Sequence, residues 1–170
     1  MTTLEALAKL KPYFDRSTGT VTVGNACGLT DGSCAILLTT ASKAKQWGLQ
    51  PLGYLREYSY AGLEPERMGL GPVYAAAKVL DKANLTMQDI ELFELNEAFA
   101  AQVIANERAF DSDDFAKRCL GKSKKVGFLD RDKLNVNGGA ISLGHPVGST
   151  GARLILTLLK EMKRRNLGLG

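Results

Sequence analysis

One histidine, three cysteines and no long apolar run are all that this 170-residue sequence offers of those features, and each scarcity excludes something. Cys27, Cys34 and Cys119 are odd in number, lack C-x-x-C spacing and have a single histidine to join them. A zinc site and a disulfide framework are therefore not expected, and no metal is assigned. No apolar run approaches the roughly 20 residues needed to span a bilayer. The opening MTTLEALAKLKPYF is amphipathic and charged, without the apolar centre and cleavage site of a leader peptide. The chain thus reads as soluble and cytoplasmic, with no membrane span. Lys and Arg total 22 against 18 Asp and Glu, a formal charge of +4, which favours an anionic partner only weakly. There is no dense basic tract, so nucleic acid is not indicated. The clusters GKSKK and KEMKRR read as a solvated loop and the charged end of a helix. Internal repeats and low-complexity linkers are also missing.

What is present has the proportions of one ordinary globular domain, with 45% hydrophobic and 24% charged residues. Leucines at 4, 7 and 10 make a short helical stripe that Pro12 stops. RSTGTVTVGN reads as a turn feeding a short strand, and CAILLTT as a strand buried on both faces. Ser42 could cap a following helix, KAKQWG, which Gly48 ends. PLGYLREYSYAG reads as a second strand, and GPVYAAAKVLDKANL as a helix with Pro72 near its start. MQDIELFEL supplies a third strand, whose carboxyl end runs into the helix NEAFAAQVIANERAF, the kind of junction where α/β folds hold ligands. Residues 103–134 read as a surface insertion with one helix around DDFAKRCL. A glycine-rich turn and a last helix, GARLILTLLKEMKRR, complete a βαβαβα pattern. The fold class expected is α/β.

Two residues could carry chemistry. Asn96 stands where a strand passes into a helix, so its amide either caps free backbone N–H groups or points into a cleft and holds a water. His145, in GHPVGSTG, has a glycine before it and a proline after it. It either faces a pocket as general base or oxyanion donor, or simply stabilises the turn.

The stretches LAKLKPYF, GTVTVGNACGLTDG, RMGLGPVYAAAKVL, ELNEAFAAQ and LNVNGGAISLGHPVGSTGARLILTLL follow one another almost end to end. In this order they resemble the C-terminal half of the thiolases, a far more specific likeness than one short motif. The resemblance implies CoA-dependent thiolysis of a 3-ketoacyl-CoA, or the reverse condensation, through an acyl-cysteine intermediate. It makes the parent protein an acyltransferase with acyl-CoA and CoA as substrates, no permanently bound cofactor and a homo-oligomeric assembly. His145 would deprotonate the nucleophilic cysteine and help bind the thioester oxygen, and Asn96 would anchor a water completing that oxyanion hole. Met68 of RMGLGP and Phe99 of NEAF would line the acyl and pantetheine pocket, with plain core packing as the other reading of both. Cys27 stands where short-chain members carry a pantetheine-contacting serine, so that contact is not carried over intact. None of the three cysteines lies in the family's nucleophile motif; all read as buried, inert thiols.

The family's nucleophilic cysteine belongs to the N-terminal half, and its second catalytic cysteine, in a C-x-G motif, would follow Gly170. Residues 1–170 are therefore expected to be a partial thiolase C-terminal domain, a mixed sheet covered by helices lacking its last two strands. Such a chain is expected to be inactive alone and to self-associate through an open edge. The long region between NEAFAAQ and LNVNGG resembles degradative members that act in fatty-acid oxidation. A second expectation is a non-catalytic CoA-binding or assembly module derived from a thiolase, and a third is an interaction domain that docks onto a complete thiolase.

Overall fold

In the computed structural model, which describes residues 2–170, the regular elements are helical. Helix α1 (Leu4–Ala8) carries the leucine stripe, and the Thr3 hydroxyl accepts from the Ala6 N–H at 3.1 Å. Helix α2 (Ala41–Gln46) is capped by Thr40 rather than Ser42. A 3-10 turn, Pro65–Leu70, leads into α3 (Gly71–Ala83), which has a proline in its first turn as expected. A second 3-10 turn, Met87–Asp89, is closed by a capping box between Thr86 and Asp89. Then come α4 (Ala100–Phe110), α5 (Asp113–Phe115), a π-helical turn over Ala116–Leu120, α6 (Ala140–Leu143) and α7 (Val147–Arg165).

The core forms where α3 and α4 meet the chain around Met87 to Ile90. Val73, Ala77 and Leu80 recur on one face of α3 and are buried, the spacing of a helix that turns a single stripe inward. Val73 and Leu80 join Ala109 and Phe110 of α4, with Met87, Ile90 and Leu129, in one apolar cluster. Asn106 is fully buried beside it. Its Nδ2 donates to the carbonyls of Gly69 and Gln102, both at 2.8 Å, pinning the first 3-10 turn to α4.

The expected mixed sheet is not formed. Among the described residues there is no β-strand, only two isolated bridges, Ala26 with Phe99 antiparallel and Phe93 with Leu134 parallel. A sheet needs consecutive rungs between neighbouring chains, and each expected strand finds at most one. CAILLTT, expected to be buried on both faces, leaves Leu37 and Leu38 exposed, because nothing covers them. MQDIELFEL begins as a 3-10 turn and then pairs only at Phe93, whose N–H donates to the Lys133 carbonyl while its own carbonyl accepts from Asn135, both at 2.9 Å. The residue types were right for extended chain, but among the described residues these stretches meet no neighbouring strand.

Candidate functional site

The turn that carries His145 is docked on the segment 95–97 by a set of polar contacts. Asn135 sits in the left-handed region, at φ 47°, a conformation its short amide tolerates. Its Oδ1 accepts from the Leu95 N–H and its Nδ2 donates to the Leu95 carbonyl, each at 2.8 Å. Nδ2 also donates to Glu97 Oε1 at 2.8 Å, while Glu97 Oε2 accepts from the Ile141 N–H at 3.2 Å. Glycine is required at 139, because a Cβ there would fall on the Glu97 carboxylate.

Gly144 then lifts His145 into place. Its φ of 86° is open to glycine, and a Cβ would collide with Thr30. The Gly144 carbonyl accepts from Arg153 Nη1 at 2.9 Å, so the turn is also tied down from α7. His145 Nδ1 lies 2.7 Å from Thr150 Oγ1, and that hydroxyl donates to the Pro146 carbonyl at 3.1 Å. Thr150 thus fixes the orientation of the ring, whichever of the two groups carries the shared proton. Asn96 Nδ2 lies 3.4 Å from Nε2. Asn96 Oδ1 is buried beside it without a partner.

Two carboxylates behind this turn depart from their ordinary values in opposite directions. Glu94 is pushed up to about 7, chiefly by burial, with Glu97 and Glu161 adding to the rise and Arg153 opposing it. Its Oε1 has no hydrogen-bond partner. Glu161 on α7 is held down to about 2, first by Arg164, whose guanidinium donates Nε to Oε2 at 2.8 Å, and further by Asn137 and Arg165.

Of the residues singled out in the sequence, the structure joins His145 to Asn96 directly. Asn96 does not cap α4: that helix starts at Ala100 with Phe99 in the cap position and no side-chain cap bond. Cys27 donates its backbone N–H to the Ala98 carbonyl at 3.0 Å, so it lies close to the Asn96 segment through the backbone. Phe99 packs edge-to-face on Phe14, with ring centroids 6.2 Å apart. Met68 is 73% exposed on the first 3-10 turn. Glu94, Glu97, Asn135 and Thr150 were not anticipated. Glu94, Glu97 and Thr150 stand within a few positions of a residue that was and Asn135 ten before His145, but sequence spacing alone says nothing of which carbonyl or ring a side chain reaches.

Covalent acyl transfer on this chain is overturned by the same geometry. A thiolate nucleophile must lie within hydrogen-bond reach of its base, and both ring nitrogens of His145 are engaged by Asn96 and Thr150, not by a thiol. Cys34 lines an open cavity of about 490 Å³ with Pro146 and Ser149, while Cys119 neighbours Tyr74 of α3, whose phenol is raised mainly by burial and further by Cys119. The sheet that would carry a catalytic cysteine strand is also missing among the described residues.

Residues 49–170 match the family described as Thiolase, C-terminal domain, and residues 1–42 match Thiolase, N-terminal domain. The chain belongs to the thiolase family. It is similar to the 3-ketoacyl-CoA thiolase of Serratia proteamaculans, with 50% identity over 98% of this chain and 38% of that one. Its backbone is similar to the crystal structure of human mitochondrial 3-ketoacyl-CoA thiolase in complex with CoA, with a TM-score of 0.79, 40% identity and coverage of 97% of this chain and 37% of that one. The dimeric peroxisomal thiolase of Saccharomyces cerevisiae gives a TM-score of 0.81 and 42% identity over 95% of this chain and 37% of that one. The chain thus spans a little over a third of the length of the relatives it matches. No helix among the described residues is long and apolar enough to cross a membrane.

Proposed function

We propose that this chain is a non-catalytic coenzyme A-binding module of thiolase descent. The observation that carries the reading is the pair formed by His145 Nε2 and Asn96 Nδ2 at 3.4 Å on a firmly anchored turn. In the proposed complex the long contact between Asn96 Nδ2 and His145 Nε2 opens: the thiol of CoA takes the place of the amide at Nε2, and the Asn96 amide donates instead to a thioester oxygen or to a water beside it. The CoA complex of the human relative supports the choice of ligand. Met68, Phe99 and Cys27 are proposed as neighbours of the pantetheine and acyl group. Acyl transfer from 3-ketoacyl-CoA is proposed for a full-length parent, whose relatives are named for it.

The test is calorimetric titration with CoA, run beside an assay of acetoacetyl-CoA thiolysis. Saturable binding without turnover is expected, with His145→Ala weakening binding at least tenfold, about 1.4 kcal/mol. No binding, or CoA-dependent turnover, rejects the reading.

Residues 1–170 are proposed to act as one unit with 103–134 inserted, supported by the backbone bonds of Asn25 and Cys27 to Ala100 and Ala98. Homo-oligomerisation is proposed from the relative described as dimeric, and a monodisperse monomer by light scattering counts against it. A cytoplasmic location fits the three free thiols, and cell fractionation checks it.

A further inference from the structure

Glu94 has no task in the site as described so far. The side chain is half-buried, and its Oε1 is shut off from solvent without a hydrogen-bond partner. The charged groups around it are Arg153 and Glu161 of α7 and Glu97 of its own segment. Glu161 is already held by Arg164 and Arg165. Arg153 is therefore the cation at hand, yet it enters none of the ion pairs among the described residues. Its Nη1 is committed instead to the Gly144 carbonyl at 2.9 Å.

A guanidinium that leaves a neighbouring buried carboxyl unpaired fits a carboxyl that holds its proton. The neutral acid makes little demand on Arg153, which can then serve the Gly144 carbonyl. A carboxylate in the same place is costly without a partner, and Arg153 is the group it would draw. The charge would also push on Glu97, whose oxygens hold Asn135 Nδ2 and the Ile141 N–H. These contacts and the Arg153 bond secure the two ends of the stretch 135–144 that carries His145. Gly144, at φ 86°, has a backbone that does not keep this angle by itself once its carbonyl is released.

We infer that Glu94 is a positioning residue for His145: as the neutral acid it leaves Arg153 on the Gly144 carbonyl and Glu97 on Asn135 and Ile141, and as the carboxylate it takes Arg153 and unseats the ring. The exchange falls where the Glu94 carboxyl titrates, at about 7. Below that pH the seated turn predominates, and above it the seated turn is depleted. The inference deepens the CoA reading and rests on it for the effect on affinity, since a ligand that needs the seated turn binds in proportion to its population.

The test follows the chemical shift of an isotope-labelled Gly144 carbonyl in the CoA-free chain from about pH 5.5 to about pH 8.5, beside calorimetric titration with CoA over the same range. A step centred near 7 is expected. It should be absent from Glu94→Gln, which mimics the neutral acid, and from Arg153→Gln, which has no charge to be drawn. His145→Gln should retain it, which separates it from ionisation of the ring. Across the step the parent chain should lose about threefold or more in CoA affinity beyond any loss in Glu94→Gln, a difference that removes the ionisation of CoA and of His145. The inference is overturned if the parent chain shows no step, if the step survives Glu94→Gln or vanishes in His145→Gln, or if both chains lose affinity in parallel. Absence of CoA binding at every pH rejects the CoA reading instead, and the carbonyl step then decides the inference.

Discussion

Thr150 is 3% exposed, and its hydroxyl lies within hydrogen-bond distance of both His145 Nδ1, at 2.7 Å, and the Pro146 carbonyl, at 3.1 Å. Replacing it with valine keeps the volume and removes both bonds. We expect Thr150→Val to cost about 1–3 kcal/mol in urea unfolding and to change the His145 imidazole nitrogen shifts. Glu97 is a second anchor, since it alone accepts from the Ile141 N–H and shares Asn135 Nδ2 with Leu95. Glu97→Ala should lose about 1–3 kcal/mol and weaken CoA binding with it, whereas Glu97→Gln, which keeps one acceptor oxygen, should lose less of both. Gly144→Ala meets the left-handed φ of 86° and the Thr30 side chain together. It should destabilise the chain more than either of the others, by thermal melting. At this scale the sequence showed His145 and Asn96 as residues worth testing. It left Asn96 open between capping and a cleft, because both are local readings of one position. The answer came from a ring 49 positions away in the chain.

Helix α7 and the segment before α4 carry carboxylates that respond to pH in opposite senses. Glu94 rises from an ordinary 4.5 to about 7, mainly through burial. Between those values the folded chain keeps a proton that the unfolded chain has released. Stability from this group is complete below about 4.5 and falls as pH rises to about 7. Glu161 drops from 4.5 to about 2, mainly through Arg164, so its contribution is complete above 4.5 and is lost as pH falls towards 2. Urea midpoints measured across pH should decline from 4.5 to 7, and Glu94→Gln should flatten that decline. Helices were the legible elements. The alanine-rich spacing of GPVYAAAKVLDKANL and the proline at 72 marked α3, since helical bonds close within a few residues. Boundaries shifted where the first turn was decided by contacts, as when α7 began at Val147, directly after His145 and Pro146.

Across the whole molecule, several large apolar side chains are exposed, among them Phe14, Trp47 and Phe128 and, on residues 27–40 and 53–64, Leu37, Leu38, Tyr54 and Tyr60. Side chains with no packing partners contribute little to folding. Leu38→Ser should therefore change the stability of the isolated chain in urea by less than about 0.5 kcal/mol, whereas Val73→Ala, fully buried in the α3 and α4 core, should cost at least about 1 kcal/mol. The sequence by itself determined family membership, the order of motifs and the longer helices α3, α4 and α7, because all of these are local or are carried by long runs of residue identity. Only the tertiary structure decided that no sheet forms among the described residues, that Thr150 and Asn96 hold the His145 ring, and that no thiol is bonded to it. Those outcomes depend on which distant groups are present to make a rung or a hydrogen bond, and residue type at one position cannot report on a partner elsewhere.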